Sequence, residues 1–202
     1  MNQVNVEKQL KSPAKVVCIG RNYVAHIEEL GNEVPDQMVV FMKPNSAISS
    51  VLQSFHQETL HYEGEICLMI EHGKFGYVGF GLDLTKRGLQ SKLKQKGLPW
   101  ERAKAFDGAA VLSDFVAIDS VEGLRLELWI DGELIQSGGI ELMMYKPDDI
   151  IEELGSFTSL TDGDVVMTGT PAGVGEVAKG AVFEGKIFQH DTLLVSHLWT
   201  AE

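Results

Sequence analysis

A chain of 202 residues with 44% hydrophobic residues is long enough to bury a substantial core, and one domain accommodates it. Its 29 acidic against 17 basic residues leave a net charge of −12, which repels phosphate backbones and argues against a nucleic-acid partner. No apolar stretch approaches the roughly 18 residues that span a bilayer. The start Met1–Lys11 is polar, carries both Lys and Glu, and has neither a signal-peptide nor a transit-peptide pattern. A soluble, cytoplasmic protein with no membrane partner is expected.

Glycine occurs 21 times, mostly between short apolar runs, which predicts many short strands and tight turns rather than a helical bundle. Residues 1–14 read as a polar N-terminal extension of a single catalytic domain, 1–202, whose core runs from about 16 to 199. Val16–Ile19 is a β-branched run ending at Gly20. A helix over 23–30 follows the N-cap candidate Asn22 and stops at Gly31. Tyr62–Ile70 alternates as one strand, and Gly76–Leu84 follows it. Thr85 is placed to cap a helix over 86–96, with Gly97 as its stop. Leu124–Ile130 and Glu133–Gln136 flank Asp131-Gly132, a strong hairpin signal. Pro147, with Asp148 and Asp149 behind it, opens a third helix that closes at Gly155. Asp164–Thr168 precedes a glycine-rich loop over 169–175, and a last strand pair lies in Ala181–Trp199. With strands dominant, three short helices and no βαβ rhythm, the fold class is a β-rich α+β protein. Cys18 and Cys67 both lie inside apolar runs, as buried thiols do.

The segment His61-Tyr62-Glu63-Gly64-Glu65-Ile66-Cys67-Leu68-Met69-Ile70 carries the chemistry. On a strand, His61, Glu63, Glu65, Cys67 and Met69 share one face and Tyr62, Ile66, Leu68 and Ile70 the other. Solvated glutamates on an edge strand fit this pattern. So do two carboxylates on a covered face, which repel one another toward protonation unless a cation intervenes. Oxygen ligands suit a hard divalent ion such as Mg²⁺, Mn²⁺ or Ca²⁺. In Gly79-Phe80-Gly81-Leu82-Asp83-Leu84, alternation adds Asp83 to a face of glycines, where another group can approach the backbone. Lys86 and Arg87 then open a helix with the wrong sign for its dipole, a local cost that makes sense if Arg87 faces an anion.

Gly20-Arg21-Asn22-Tyr23, His61-Tyr62-Glu63-Gly64-Glu65, Leu82-Asp83-Leu84-Thr85 and Thr168-Gly169-Thr170-Pro171-Ala172-Gly173-Val174-Gly175 occur in this order, with Glu65 eighteen residues before Asp83. From about Val16 to Gly185 the chain resembles the fumarylacetoacetate hydrolase family, in its short single-domain branch of acylpyruvases and oxaloacetate-acting enzymes. The resemblance implies the C-terminal-domain fold of that family, a mixed β-sandwich roll, and a homodimer. It implies Glu63, Glu65 and Asp83 as ligands of Mg²⁺ or Mn²⁺ (Ca²⁺ in crystals), with Lys104 beside the metal. It implies Arg21, Tyr23, Arg87, Gln90 and Thr170 as substrate contacts, and His26 and Glu29 as an acid–base dyad on a lid. The residues are compatible with this. His26 and Glu29 are neighbours on one helix face, and a carboxylate orients an imidazole and raises its basicity. A plain surface histidine and a snorkelling Lys104 fit the local sequence equally. Two stretches depart from the branch: Gly139-Ile140-Glu141-Leu142-Met143-Met144, where Ser or Thr with Asp-Met is usual, and the small run Asp107-Gly108-Ala109-Ala110-Val111.

The expected activity is Mg²⁺- or Mn²⁺-dependent chemistry on the C–C bonds of small 2-oxo acids. Acylpyruvate hydrolysis and oxaloacetate decarboxylation or tautomerisation all proceed through a pyruvate enolate. An isomerase, decarboxylase or hydratase of aromatic meta-cleavage products is the alternative within enzymes. A non-catalytic binder of metal and keto acid is the alternative outside them.

Overall fold

The computed structural model describes residues 1–29, 31 and 35–202; the end of the first expected helix, at Leu30, lies outside them. The fold is β-rich α+β, as expected. Its largest sheet has eight strands. Val39–Pro44 forms one edge, followed by Lys15–Gly20, Val165–Met167, Gly64–Glu71, Lys74–Asp83, Ala110–Leu112 and Ile48–Ser49, with Val116–Ala117 beside Lys74–Asp83. The sheet is mixed. Val165–Met167 runs parallel to Lys15–Gly20 and antiparallel to Gly64–Glu71. A second, antiparallel sheet holds Glu133–Gly139, Leu124–Ile130, Val182–Gln189 and Thr192–Thr200. Its first hairpin turns where the sequence says, with Asp131 and Gly132 at φ 50° and 85°, the left-handed pair such a two-residue turn requires.

The two sheets meet across the larger hydrophobic core, in which Ile66, Leu68, Phe80 and Leu82 of the first face Leu124, Leu126, Leu128 and Phe183 of the second. Cys67 and Met69, on the opposite face of their strand, join Cys18, Val16 and Met167 in a second core. The strand Gly64–Glu71 is therefore covered on both sides, and both cysteines are buried free thiols. Burying each large apolar side chain contributes about 2 kcal/mol, so this strand is among the most firmly held backbone in the molecule.

Four local readings need correction. The expected continuous strand breaks at Glu63: His61–Tyr62 pairs with Gly175–Glu176, and the long strand starts at Gly64. Asn22 does not cap the first helix, Val24–Glu29, because its side chain is held by Tyr145 and the Thr168 carbonyl. Thr85 does not cap Arg87–Gln95; Lys86 holds the N-cap position without a side-chain bond, while the Thr85 hydroxyl donates to the Asp83 carbonyl. Gly155 lies inside Pro147–Phe157, since the Thr158 N–H still closes on the Leu154 carbonyl beyond it. A fourth helix, Glu101–Lys104, has too few residues to show a periodicity. The N-terminal stretch forms a hairpin, Val4–Val6 with Gln9–Lys11, whose two valines enter the second core. No helix among the described residues is long and apolar enough to cross a membrane.

Asp164 fastens the parallel strand pair. Its buried carboxylate accepts from the Thr161 N–H and hydroxyl at 2.9 and 3.0 Å and pairs with Lys15 Nζ at 2.5 Å. Burial alone would raise this carboxyl, but those donors and Lys15 hold it below the usual Asp value of 3.8. A group whose folded pKa is depressed stabilises above its unfolded pKa and loses that contribution as pH falls through the folded value. Asp164→Asn is expected to lower stability by about 2 kcal/mol at neutral pH, discounted for the partly exposed lysine. In urea unfolding the gap between wild type and variant should shrink below pH 3.8; a gap constant down to pH 2 would contradict the ion pair's role.

Candidate metal centre and cavity

Where the strand breaks, the backbone of 61–63 stays hydrogen-bonded to 83–85: His61 and Thr85 exchange N–H···O bonds, and the Asp83 N–H donates to the Glu63 carbonyl. That pairing sets Glu63 beside Asp83, while Glu65 lies opposite Gly81. Ligand oxygens of Glu63, Glu65 and Asp83 all fall within 4.8 Å of one another, and the three residues are 6%, 2% and 1% exposed. They are not the solvated glutamates of an edge strand. The room beside Gly79 and Gly81 serves the core: a Cβ at Gly81 would lie 2.5 Å from the Cys67 sulfur, and one at Gly79 would meet the Phe115 ring.

Three cations hold the carboxylates. Lys104 Nζ donates to Glu63 Oε2 at 2.9 Å, Asp83 Oδ2 at 2.8 Å and the Thr85 hydroxyl at 2.6 Å. It is 2% exposed, so it does not snorkel. The anion that Arg87 faces at the start of its helix is Glu63, with Nη2 2.5 Å from Oε1, while Nη1 donates to Gln90 at 3.0 Å. The third cation is Lys43, fully buried, with Nζ 2.7 Å from Asp83 Oδ1 and donating to the Lys104 and Ala109 carbonyls. A lone lysine in the apolar run Val39-Val40-Phe41-Met42-Lys43 was the signal for it.

The three carboxyls are not equivalent. Burial alone would raise Glu63, but Lys104 and Arg87, with His26 adding, hold it well below the usual range. Glu65 is pushed well up by burial and then by Asp83 and Glu63, against one backbone donor, the Gly169 N–H at 2.6 Å. Among the described residues Glu65 has no ion pair. Asp83 Oδ1 is close to Lys43 but off its hydrogen-bonding directions, and so accepts no hydrogen bond. A buried carboxylate oxygen without a hydrogen bond, beside a carboxyl that lacks a counter-charge, is a donor set that fits a divalent cation.

The triad forms the floor of a small cavity, about 40 Å³, that also exposes Arg21, His26, Arg87, Gln90, Lys104 and Thr170. That volume has room for roughly three water-sized groups, which suits a metal and a compact ligand rather than a nucleotide. Ile19, Phe41, Trp100 and Lys94 complete the wall, and the sequence reading missed all four. The glycine-rich loop closes one side. Gly169 is left-handed at φ 104°, and any Cβ there would meet the Asn22 side chain at 2.8 Å. The Thr170 hydroxyl donates to the Gly64 carbonyl and accepts from Gln136, whose amide oxygen accepts from the Gly64 N–H.

His26 is 5% exposed and lines the cavity, so it is not a plain surface histidine. Its Nδ1 lies 3.4 Å from Glu29 Oε2, and Glu29 in turn accepts from the Gly173 N–H at 3.0 Å. Burial lowers the imidazole below 6.5 despite Glu63 and Glu29. Tyr23 is not among the cavity-lining residues. Its ring is buried, its hydroxyl has no hydrogen-bond partner among the described residues, and burial with Glu65 and Glu141 raises its pKa.

Residues 15–195 match the fumarylacetoacetate hydrolase C-terminal family. The oxaloacetate tautomerase YcgM of Escherichia coli (strain K12) is 38% identical, over 83% of this chain and 85% of its own. The mitochondrial oxaloacetate decarboxylase of Dictyostelium discoideum is 36% identical over 88% of this chain and 90% of that one. Among solved structures, fumarylpyruvate hydrolase from Pseudomonas aeruginosa, in complex with Mn²⁺ and pyruvate, superposes with a TM-score of 0.86 at 30% identity, covering 99% of this chain and 95% of that one. The chain belongs to the fumarylacetoacetate hydrolase family of enzymes.

Proposed function

We propose that the protein is a divalent-metal-dependent enzyme acting on small 2-oxo acids, with keto–enol interconversion of oxaloacetate as its main reaction. The observation that carries this reading is the buried triad Glu63, Glu65 and Asp83, with an Asp83 oxygen that accepts no hydrogen bond and a Glu65 without an ion pair among the described residues, at the floor of a cavity walled by cations. The names of its relatives support the substrate: oxaloacetate tautomerases from bacteria, plants and fungi are 30–38% identical. C–C bond hydrolysis of an acylpyruvate is a second reading, favoured by the fumarylpyruvate hydrolase that superposes on this chain. Mg²⁺ and Mn²⁺ both suit three carboxylates. We also read the chain as a homodimer of the cytoplasm, although several eukaryotic relatives are named mitochondrial.

Glu63, Glu65 and Asp83 would hold the cation, which would supply Lewis acidity to the 2-oxo acid when bound. Arg87 and Gln90 present donors along the same wall and fix the acid's orientation. Lys104 has its three donors engaged by Glu63, Asp83 and Thr85, so it acts as a fixed positive charge and positioning group, not as a proton carrier. Burial would lower its pKa, but Asp83 and Glu63 together raise it above 10.5, in keeping with a fixed charge. A carboxylate only accepts, so facing Glu29 the His26 proton resides on Nδ1 and Nε2 keeps the basic lone pair. His26 then takes a proton from C3; the C–H pair becomes the C2=C3 bond and the carbonyl pair moves onto oxygen. Returning that proton to the oxygen yields the enol. In the hydrolytic reading the same nitrogen takes its proton from water. Thr170, tied to Gly64 and Gln136, fixes the wall opposite.

Glu65→Gln is expected to weaken Mn²⁺ binding at least tenfold in calorimetric titration, about 1.4 kcal/mol, with turnover lost in parallel and also lost on adding EDTA to wild type. Unchanged affinity and activity would sink the metal assignment. His26→Ala should keep Mn²⁺ affinity and lose turnover by about 10²–10⁴-fold, the usual contribution of a general base. A binding protein without catalysis would show no such loss. His26 must be neutral to act, so kcat/KM should fall as pH drops through its depressed pKa, with the acid limb below 6.5. Glu29→Gln removes a charge that raises this pKa, which should move the limb further toward acid. A limb that moves toward alkali would refute the dyad.

A further inference from the structure

The two helices that bring Arg87 and Lys104 to the carboxylates, Arg87–Gln95 and Glu101–Lys104, are joined by a short connector fixed by its own backbone bonds. Gly97 is left-handed at φ 62°, its N–H donates to the Lys94 carbonyl, and the Leu98 N–H reaches back to the Leu93 carbonyl. That pair of bonds is the usual glycine stop of a helix. Pro99 stiffens the approach to Trp100, whose carbonyl accepts from the Ala103 and Lys104 N–H groups and so opens the second helix. Trp100 is held from both sides by bonds that do not involve its indole.

The indole stands against Phe41, with ring centroids 5.8 Å apart. Phe41 in turn has the Lys104 ammonium 5.2 Å from its ring centre, so a line of contacts runs from Asp83 through Lys104 and Phe41 to Trp100. Phe41 and Trp100 line the site cavity of about 40 Å³, and both also line a second, open space of about 410 Å³ bounded by Val39, Val40, Leu98 and Pro99. Among the described residues no other lines both. The aromatic pair is a partition, with the charged floor on one side and an apolar groove on the other. Phe41 packs against the second core, whereas Trp100 belongs to the connector, so its side chain can be cut back without opening the core. The smaller space suits a compact 2-oxo acid of about four or five carbons, and a longer tail has to enter the volume that the indole fills. A wall of this kind rejects one surplus methylene by about tenfold or more.

We propose that Trp100 is the residue that limits substrate length: it shuts the cavity off from the apolar groove beyond and restricts the site to compact 2-oxo acids, against acylpyruvates with longer apolar tails. This rests on the 2-oxo acid reading above and deepens it by setting the range of substrates.

The test follows tail length. Oxaloacetate and acetyl-, butanoyl- and hexanoylpyruvate serve as substrates, and pyruvate, 2-oxobutanoate and 2-oxohexanoate are titrated calorimetrically into the Mn²⁺-loaded protein. In wild type both kcat/KM and affinity should fall by about tenfold or more from the shortest to the longest tail. Trp100→Ala should raise the long-to-short ratio about tenfold in both series, and its crystal structure should show the two spaces joined. Trp100→Phe, which keeps an aromatic wall, should hold the wild-type order. A variant that merely loosens the connector lowers every compound alike and leaves the ratio where it was. The proposal is overturned if wild type takes long and short tails equally, if Trp100→Ala leaves the ratio within about twofold of wild type or lowers it, or if the two spaces stay apart in its crystal structure. Should the titrations show the length limit and its relief while no compound is turned over, the enzymatic reading fails and the role of Trp100 stands. Turnover of the whole series with an unmoved ratio has the opposite meaning. Where Trp100→Ala misfolds by circular dichroism, Trp100→Leu takes its place.

Discussion

Three carboxylates forced into one buried space set the terms for the rest of the structure. Glu63, Glu65 and Asp83 bring three negative charges within 4.8 Å, and nothing in an apolar core tolerates that without compensation. Lys43, Lys104 and Arg87 supply three positive charges, from the edge strand, a one-turn helix and the first turn of another helix. Each of these elements is short or at a sheet edge, and each is fixed by the charge it delivers. The compensation is uneven, however: it falls on Glu63 and Asp83 and leaves Glu65 with a backbone N–H. A divalent ion bound at the triad would compensate Glu65.

One loop joins the charged floor to His26 and Glu29. Gly169 donates to Glu65, Thr170 braces Gly64, and Gly173 donates to Glu29, all within five residues. Asn22 fixes the loop's entrance through the Thr168 carbonyl, one residue after the left-handed Arg21. The carboxylate triad and the His26–Glu29 pair therefore share a backbone scaffold, and a shift in one is felt by the other. Such rigidity is what electrostatic preorganisation requires: donors and charges held in place before the reaction begins.

Much of this was legible in the sequence, and the limits have physical causes. Period-two alternation gave the two covered faces of Gly64–Glu71, and Asp131-Gly132 gave a hairpin whose left-handed turn the structure repeats. The misplaced cation at Arg87 pointed to an anion, which proved to be Glu63. Capping was misread at Asn22 and Thr85 for one reason: both side chains bond to groups distant in sequence, which outcompete the local helix end. Gly81 was read as room for a ligand, whereas it makes room for the Cys67 thiol, a contact no local pattern encodes. Lys43 and Lys94 escaped notice because a lysine in an apolar run and one on a polar helix look ordinary until the sheet and cavity bring their neighbours together. The family motifs, by contrast, carry the triad without any knowledge of these partners.

Stability does not explain why the cluster is kept. Desolvating six charged groups offsets most of what their mutual attraction returns, and buried ion clusters replaced by well-packed apolar side chains are often as stable or more so. Lys43 sharpens the point. It is among the largest side chains wholly removed from solvent, it sits where Met or Leu would fill a similar volume, and its ammonium touches Asp83 without forming a hydrogen bond to Oδ1. A folding-optimised pair would close that bond. An oxygen that accepts no hydrogen bond among the described residues is one that a cation could take, while the ammonium of Lys43 sets a positive charge beside the three carboxyls. The arrangement is poorer as a salt bridge and better as a ligand, which is the compromise expected where a site is built for binding.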